Sequence, residues 1–184
     1  MISVYIYEHY TRHEKNSREF AKMCIRDYLG ELNAELVFDE NEFGKPFVAN
    51  STDIHFSLSH SGNILVCAVA NSNIGVDCQI IDISDVSKCK KIAERFYSPK
   101  EKQFLSELSE VDYINSFFKI WAKKEAYVKY TGRGLSQGLS TFSVISLDGV
   151  RFKRIAPELP DMFIYLCYGD NDNLDGSNVI YIKL

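Results

Sequence analysis

Paired cysteines are the first feature that this sequence lacks. Its five cysteines are odd in number, scattered along the chain and never spaced as C-x-x-C, which argues against a disulfide framework and against a zinc site. They are Cys24, Cys67, Cys78, Cys89 and Cys167. Free thiols in this number fit a reducing compartment, so we expect a cytoplasmic protein.

An excess of positive charge and a long apolar run are also missing. The chain has 21 Lys and Arg against 25 Asp and Glu, a net charge of -4, so no nucleic-acid partner is indicated. The N-terminus has no basic segment followed by an apolar stretch, and no later run approaches the ~20 apolar residues of a membrane span. We therefore expect a protein without membrane or nucleic-acid partners.

Apolar and aromatic residues, in contrast, are abundant. The chain of 184 residues is 46% hydrophobic, with 12 Phe, 11 Tyr and a single Trp at position 121. This content suffices for one well-filled core or for two small lobes that share one.

The hydrophobic pattern predicts an α+β protein. Strands and helices alternate as βα-βββ and then βαα-ββββ, which favours two similar lobes over a parallel βαβ fold. We place the lobe boundary near residue 72, giving lobes 1–72 and 73–184. The predicted helices are 17–30, 85–96, one starting at the Ser98-Pro99-Lys100-Glu101 capping box, and 113–131. The predicted strands are 2–7, 35–38, 53–58, 64–70, 73–77 and, from Thr141 onward, TFSVIS, VRFKRI, FIYLCY and NVIYIK.

The helix around Glu125 is the most informative segment. At 100° per residue, Glu125 and Lys129 fall within an apolar sector, whereas Lys119 and Lys123 are predicted on the opposite, polar side. The apolar sector is formed by Phe117, Phe118, Trp121 and Val128. A carboxylate among aromatic rings is costly unless something pairs with it.

Two interpretations of Glu125 remain open on periodicity alone. One is an i,i+4 ion pair with Lys129, which stabilises a helix by only a few tenths of a kcal/mol. The other is a carboxylate reserved for a metal or a proton, with the lysine placed for phosphate.

Three further segments carry polar groups near strand ends. Asp77 is predicted to end the strand NIGVD, where a turn or cap residue is the alternative to a functional carboxylate. The segment FSLSHSG at 56–62 places Ser59 and His60 at a strand end, either as an anion cradle or as a hydroxyl-rich turn. Gly44-Lys45-Pro46 is a turn with one basic residue.

Taken in order, these segments resemble the phosphopantetheinyl transferase family in its larger, pseudo-dimeric form. The resemblance rests on four motifs at suitable separations, and four ordered motifs are far more specific than any one of them. They are GKPFV at 44–48, FSLSHSG at 56–62, IGVD at 74–77 and WAKKEAYVKYTGRGLS at 121–136.

The resemblance implies two related α+β lobes joined by a pseudo-twofold, with coenzyme A in the cleft between them. It implies that Asp77 and Glu125 hold Mg²⁺ and that Lys129 contacts the pyrophosphate of coenzyme A. It further implies that Ser59 and His60 bind phosphate and that Lys45 and Pro46 lie at the adenine end. A pyrophosphate needs a hard cation with oxygen ligands, so these roles are chemically coherent.

Two departures from the family pattern affect the site. The family usually shows an acid two residues after the IGVD aspartate, where this chain has Gln79, which offers a carbonyl ligand without a charge. The segment between the first strand and the first helix is short, so Arg12 and Arg18 are only candidates for the 3′-phosphate.

The sequence therefore predicts a monomeric, Mg²⁺-dependent transferase that moves phosphopantetheine from coenzyme A to a serine of an apo acyl or peptidyl carrier protein. Glu125, Lys129 and Asp77 would be its catalytic residues. The alternatives are a degenerate, non-catalytic module that binds coenzyme A or a carrier, and a plain structural α+β domain.

Overall fold

The computed structural model describes residues 1–11, 17–81, 86–172 and 178–182. The helices are α1 (Ser17–Leu29), α2 (Val86–Phe96), α3 (Pro99–Ser106) and α4 (Glu110–Thr131), and short 3₁₀ turns span Gly134–Gln137 and Leu139–Thr141. The strands are β1 (Ile2–Tyr7), β2 (Phe38–Glu40), β3 (Pro46–Val48), β4 (His55–Ser61), β5 (Ile64–Ala70), β6 (Ile74–Ile80), β7 (Val150–Ile155), β8 (Met162–Gly169) and β9 (Asn178–Ile182). The chain is thus an α+β protein, as its pattern predicts.

Two sheets form the centre of the molecule. The first has the strand order β4-β5-β1-β9, with β9 parallel to β1, and the second is the antiparallel sheet β6-β8-β7. Their facing side chains make one apolar core, to which β1 contributes Val4 and Ile6 and β6 contributes Ile74 and Val76. The two sheets are therefore held together mainly by apolar burial.

A helix covers the outer face of each sheet. Helix α1 packs through Phe20, Cys24 and Ile25 on the outer side of the first sheet. Helix α4 packs on β8 through Ala122 and Ala126, both fully buried. The layers therefore run helix, sheet, sheet, helix, with α2 and α3 beside α4.

The ends of the helices follow local chemistry. Ser98 accepts a hydrogen bond from the Glu101 N–H while Glu101 accepts one from the Ser98 N–H, so the predicted capping box is confirmed. Helix α4 begins after Ser109, which caps it, and ends at Gly132, whose φ of 68° lies in the left-handed region.

Some predicted elements differ from the observed ones. The strand predicted to end at Asp77 continues to Ile80, because the whole of 74–80 pairs with β8. The segment TFSVIS is not a strand: a 3₁₀ turn ends at Thr141 and turns follow. The strand predicted at 35–38 is found at Phe38–Glu40, where it pairs with β3, a strand that the pattern did not predict. Asp85, the first residue of the helix predicted at 85–96, lies outside the described residues.

The last strand joins the first sheet and not the second. Strand β9 pairs with β1 in register from Ser3–Asn178 to Tyr7–Ile182. Within the described residues, no helix is both long and apolar enough to cross a bilayer.

Candidate active site

Helix α4 approaches β6 closely at Gly75. A Cβ atom at this position would overlap the carbonyl oxygen of Ala126 and the nitrogen of Tyr130, both backbone atoms of α4. Gly75 and Asp77 are two residues apart on β6, so their side-chain positions share one face of the strand. The close approach at Gly75 therefore brings two side chains of α4, Glu125 and Lys129, next to Asp77.

Asp77 is buried and accepts hydrogen bonds on both carboxylate oxygens. Oδ1 lies 2.7 Å from the Lys129 amino group and 2.7 Å from the Ser59 hydroxyl. Oδ2 accepts a bond of 2.9 Å from the side-chain amide of Gln79. Only 4% of the Asp77 side chain is exposed, whereas 28% of Lys129 is, so the lysine forms the solvent side of the ion pair.

Glu125 lies on α4 one turn before Lys129 and is half-buried. Burial raises the pKa of its carboxyl group, the nearby Asp77 raises it further, and Lys129 opposes both effects. Among the described residues Lys129 pairs with Asp77, and no ion pair or hydrogen bond joins it to Glu125. The i,i+4 pair is therefore not the arrangement found, and Glu125 keeps a partly desolvated carboxyl without a described hydrogen-bond partner.

Three serines of β4 bind the free edge of β6. Their hydroxyls accept the backbone N–H groups of every second β6 residue, and we call this set the serine seam. It consists of Ser57 with Val76 at 3.0 Å, Ser59 with Cys78 at 3.2 Å and Ser61 with Ile80 at 3.0 Å. His60 points to the other side, where it is exposed and its ring lies 5.4 Å from that of Tyr10.

Lys45 ties the β2–β3 hairpin to the end of α4. Its amino group donates to Asn73 Oδ1 at 3.0 Å and to the carbonyl oxygens of Ile74 and Tyr130 at 3.3 Å each. Burial lowers the pKa of this amino group to about 8. The lysine therefore holds the hairpin against the start of β6 and the end of α4.

One cavity, which we call cavity I, collects three of the sequence motifs. Its volume is about 240 Å³, and it lies between the hairpin, β4 and the end of α4. It is lined by Phe43, Gly44, Lys45, Pro46, Phe56, Ser57, Leu58, Val128, Lys129, Gly132 and Gly134. Segments that are far apart in sequence thus form a single wall.

A second cavity, which we call cavity II, lies between α2 and α4. Its volume is about 230 Å³, and most of its wall is aromatic or aliphatic. It is lined by Gln79, Lys88, Cys89, Ile92, Phe117, Phe118 and Trp121. Since Asp77 hydrogen-bonds Lys129 of cavity I and Gln79 of cavity II, this carboxylate lies between the two cavities.

The oxygen donors near Asp77 suit a hard divalent cation. Asp77 and Glu125 supply carboxylates from β6 and α4, and Gln79 adds a carboxamide next to Asp77. No cluster of three or more His, Cys, Asp or Glu side chains occurs in the described part of the chain. A cation such as Mg²⁺ would need further oxygens from a ligand or water, which is its usual habit.

Helix α4 carries a second ion pair, which reasoning from the sequence missed. Lys124 and Glu101 are fully buried and lie 2.7 Å apart. The signal was present: on a helical wheel Lys124 falls between Phe117 and Ile120, within the apolar stripe.

The predicted position of Lys123 on a polar, outer face is wrong. Its amino group lies over the rings of Phe152 and Tyr165, at 5.4 and 5.2 Å, and burial lowers its pKa. The cause is the second sheet, whose aromatic side chains reach up to α4, whereas Lys119 is exposed as predicted. Of the two arginine candidates, Arg18 pairs with Glu40 at 2.6 Å on the surface and Arg12 lies outside the described residues.

The sequence of the chain matches a known protein family. Residues 73–169 match the model of the 4′-phosphopantetheinyl transferase superfamily. The chain is 37% identical over 125 residues to 4′-phosphopantetheinyl transferase gsp of Aneurinibacillus migulanus, covering 66% of this chain and 50% of the relative. It is 38% identical over 133 residues to psf-1 of Bacillus pumilus (70% of this chain, 55% of the relative). It is 34% identical over 133 residues to Sfp of Bacillus subtilis strain 168 (70% and 54%).

The chain spans about half the length of these curated relatives. The family match covers β6, where Asp77 lies, and α4, where Glu125 and Lys129 lie. The motifs, the packing of α4 on β6 and these comparisons lead to one conclusion: the chain belongs to the 4′-phosphopantetheinyl transferase superfamily.

Proposed function

We propose that this protein transfers the phosphopantetheine group of coenzyme A to a serine of an apo acyl or peptidyl carrier protein. The observation that carries the proposal is the place of Asp77 between cavity I and cavity II. Coenzyme A has the same layout, with a nucleotide at one end, a pantetheine arm at the other and a pyrophosphate between them.

The two cavities differ in a way that suits the two ends. Cavity I is bordered by Lys45 and Lys129 and by backbone at Gly44 and Pro46, which suits the adenine end of a nucleotide. Cavity II is lined mainly by Phe118, Trp121 and other apolar side chains, which suits the uncharged arm. His60, exposed at the end of β4, is the proposed phosphate-binding residue on the nucleotide side. The resemblance implies the same role for Ser59, but the hydroxyl of Ser59 donates to Asp77.

Asp77 and Glu125, with the Gln79 carbonyl as a third donor, are the residues that would hold Mg²⁺. When bound, the cation would neutralise charge on the pyrophosphate and on the leaving group. Lys129 would leave Asp77 for the pyrophosphate, since its amino group is partly exposed and its described partner is this one carboxylate.

Glu125 is the proposed general base. Its raised pKa makes it a stronger proton acceptor than an ordinary glutamate, and no described hydrogen bond occupies its oxygens. The serine oxygen forms a bond to the phosphorus that bears pantetheine, and the bond from that phosphorus to adenosine 3′,5′-bisphosphate breaks. The serine proton passes to Glu125 directly or through one water.

The proposal includes the arrangement that the resemblance implies. The two lobes, with their boundary near residue 72, would be related by a pseudo-twofold, α1 with the first sheet matching α4 with the second. Strand β9 would then cross back from the second lobe to the first sheet. The enzyme would act as a cytoplasmic monomer without membrane or nucleic-acid partners. Light scattering of the purified protein tests the monomer, since a dimer doubles the measured mass.

Intact-mass spectrometry tests the proposed activity. An apo carrier protein is incubated with coenzyme A, Mg²⁺ and this protein, and the expected result is a gain of one phosphopantetheine mass on the carrier. The matched control is Glu125→Gln, which keeps the size of the side chain and removes the base.

The outcomes separate the possible functions. Transfer by the wild type but not by Glu125→Gln supports the proposal. If calorimetry detects binding of coenzyme A but no phosphopantetheine is transferred to any of several carriers, the proposed activity is contradicted. The protein would then be a non-catalytic binding module. Absence of both binding and transfer would leave a structural domain.

A further inference from the structure

The serine seam lies where the two sheets meet. Strand β6 is an edge strand whose other side pairs with β8, so its outward N–H groups need acceptors from elsewhere. The seam supplies them from side chains, and a buried N–H group left without an acceptor is costly. The seam therefore takes the place of a neighbouring strand.

Ser59 differs from the rest of the seam because it also binds a carboxylate. Its oxygen accepts the Cys78 N–H at 3.2 Å, and its hydroxyl donates to Asp77 Oδ1 at 2.7 Å. A serine hydroxyl has a single proton. Since the backbone N–H occupies an acceptor position of the oxygen, that proton is directed to Asp77.

The Ser59 hydroxyl is not accessible to a ligand in either cavity. The residue is only 6% exposed, and neither described cavity includes it in its wall, although Ser57 and Leu58 line cavity I. A phosphate in cavity I would meet the exposed end of β4 and not the Ser59 hydroxyl.

We propose that Ser59 is a positioning residue that acts through Asp77. Its hydroxyl, anchored by the Cys78 N–H, fixes one carboxylate oxygen in the place where Lys129 also binds, while Gln79 fixes the other. The seam thereby sets the orientation of the Asp77 carboxylate relative to Glu125. The catalytic part of this inference rests on the proposed function.

A double-mutant cycle on stability tests the contact without any use of activity. Ser59→Ala and Asp77→Asn are measured singly and together by urea unfolding of the full chain. The matched control is Ser61→Ala, which removes a seam hydroxyl whose described partner is only the Ile80 N–H. Ser59 and Asp77 should deviate from additivity by about tenfold in the unfolding constant, as hydrogen bonds to charged groups do. Ser61 and Asp77 should be additive within about twofold.

Kinetics and cation binding test the consequence. In the transfer assay, Ser59→Ala should lower kcat about tenfold with the KM for coenzyme A changed less than about twofold, because an interaction of the reacting geometry is lost. Binding of Mn²⁺ in the presence of coenzyme A, followed by electron paramagnetic resonance, should weaken about tenfold. Ser59→Thr, which keeps the hydroxyl, should restore both quantities in large part.

The result that overturns the proposal is an additive Ser59–Asp77 cycle. A raised KM with unchanged kcat in Ser59→Ala would also overturn it, and would make Ser59 a phosphate ligand instead. If Ser59→Ala does not fold, Ser59→Cys supplies the same cycle, because its thiol is a weaker donor of similar size. If the wild type shows no transfer, the proposed function fails, and the stability cycle still decides whether the seam positions Asp77.

Discussion

Helix α4 carries two lysine–carboxylate pairs that lie five residues apart and differ in almost every respect. Lys124 and Glu101 are both 0% exposed, whereas in the Lys129–Asp77 pair the lysine is 28% exposed. Both have an N···O distance of 2.7 Å. Distance alone therefore does not distinguish a fully buried pair from one that is partly open to solvent.

Both members of the Lys124–Glu101 pair make further hydrogen bonds to the backbone. Glu101 accepts from Lys124 and from the N–H groups of Ser98 and Val144, and Lys124 also donates to the Phe142 carbonyl oxygen. Burial lowers the pKa of Lys124, and its bond to Glu101 opposes this shift. The network joins α3, α4 and the segment after the 3₁₀ turn, so its role is structural.

The Lys129–Asp77 pair, in contrast, borders a cavity. Lys129 lies in the wall of cavity I, and Asp77 would keep its bonds to Ser59 and Gln79 if the lysine moved away. Glu101 would likewise keep the N–H groups of Ser98 and Val144 without its lysine. The two pairs are therefore distinguished by the exposure of the lysine and not by the hydrogen bonds that remain on the carboxylate.

Removing one member of the buried pair should have the largest effect on stability. We expect Lys124→Met to lower the free energy of unfolding by about 3–5 kcal/mol, because Glu101 is left as a buried charge without its cation. Urea unfolding measures this change. A loss below about 1 kcal/mol would show that the pair does not hold the fold.

Glu125→Gln should separate activity from stability. We expect transfer to fall by at least ~10²-fold. Because the pKa of Glu125 is raised in the folded protein, its ionisation costs stability as pH rises through that pKa. At neutral pH the variant should therefore be at least as stable as the wild type, and this advantage should vanish below the pKa of an unfolded glutamate. Thermal unfolding at several pH values measures both limits, and a lower melting temperature of the variant at neutral pH would contradict the assignment.

Lys129→Met should have the opposite profile to Lys124→Met. Because Lys129 is 28% exposed, water can take its place beside Asp77, which also keeps its bonds to Ser59 and Gln79. We therefore expect the free energy of unfolding to change by only about 1–2 kcal/mol. The affinity for coenzyme A should fall by about 10–100-fold, and the affinity for pantetheine, which has no pyrophosphate, should stay the same. Calorimetry with both ligands gives the answer, and an equal loss for both would remove Lys129 from the pyrophosphate site.

Gln79→Glu should have the smallest effect. The amide that donates to Asp77 is replaced by a carboxylate, so we expect a loss of about 1 kcal/mol in a cation-free buffer from like-charge repulsion. Mg²⁺ should restore this stability and bind the coenzyme-free variant more tightly than the wild type. Unchanged Mg²⁺ affinity would show that residue 79 does not face the cation.

Local features of the fold were predictable because their causes are local. The capping box at Ser98 and Glu101 and the stop of α4 at Gly132 depend on residues a few positions apart, and the structure confirms both. The segment TFSVIS was not predictable, because its β-like composition is overruled by packing against Lys124 and Glu101.

In the site, too, local features were predictable from the sequence and contacts between distant segments were not. Motif spacing proposed Asp77, Glu125 and Lys129 as site residues, and the structure places them near one another. The partner of Lys129, in contrast, depends on how closely α4 packs on β6 at Gly75. Periodicity places a residue on a helix face but does not tell which element covers that face. For this reason Lys123 was assigned to solvent although aromatic rings of the second sheet lie under it.

By itself, the sequence determined the α+β class and the family, because these depend on composition, periodicity and ordered motifs, and the same motifs supplied the candidate site residues. Only the tertiary structure decided which lysine pairs with which carboxylate and that Ser59 binds Asp77. It also decided that one carboxylate lies between the two cavities. The physical reason is that ion pairs, seams and cavities form between residues distant in sequence, and their partners are chosen by the packing of whole helices and sheets.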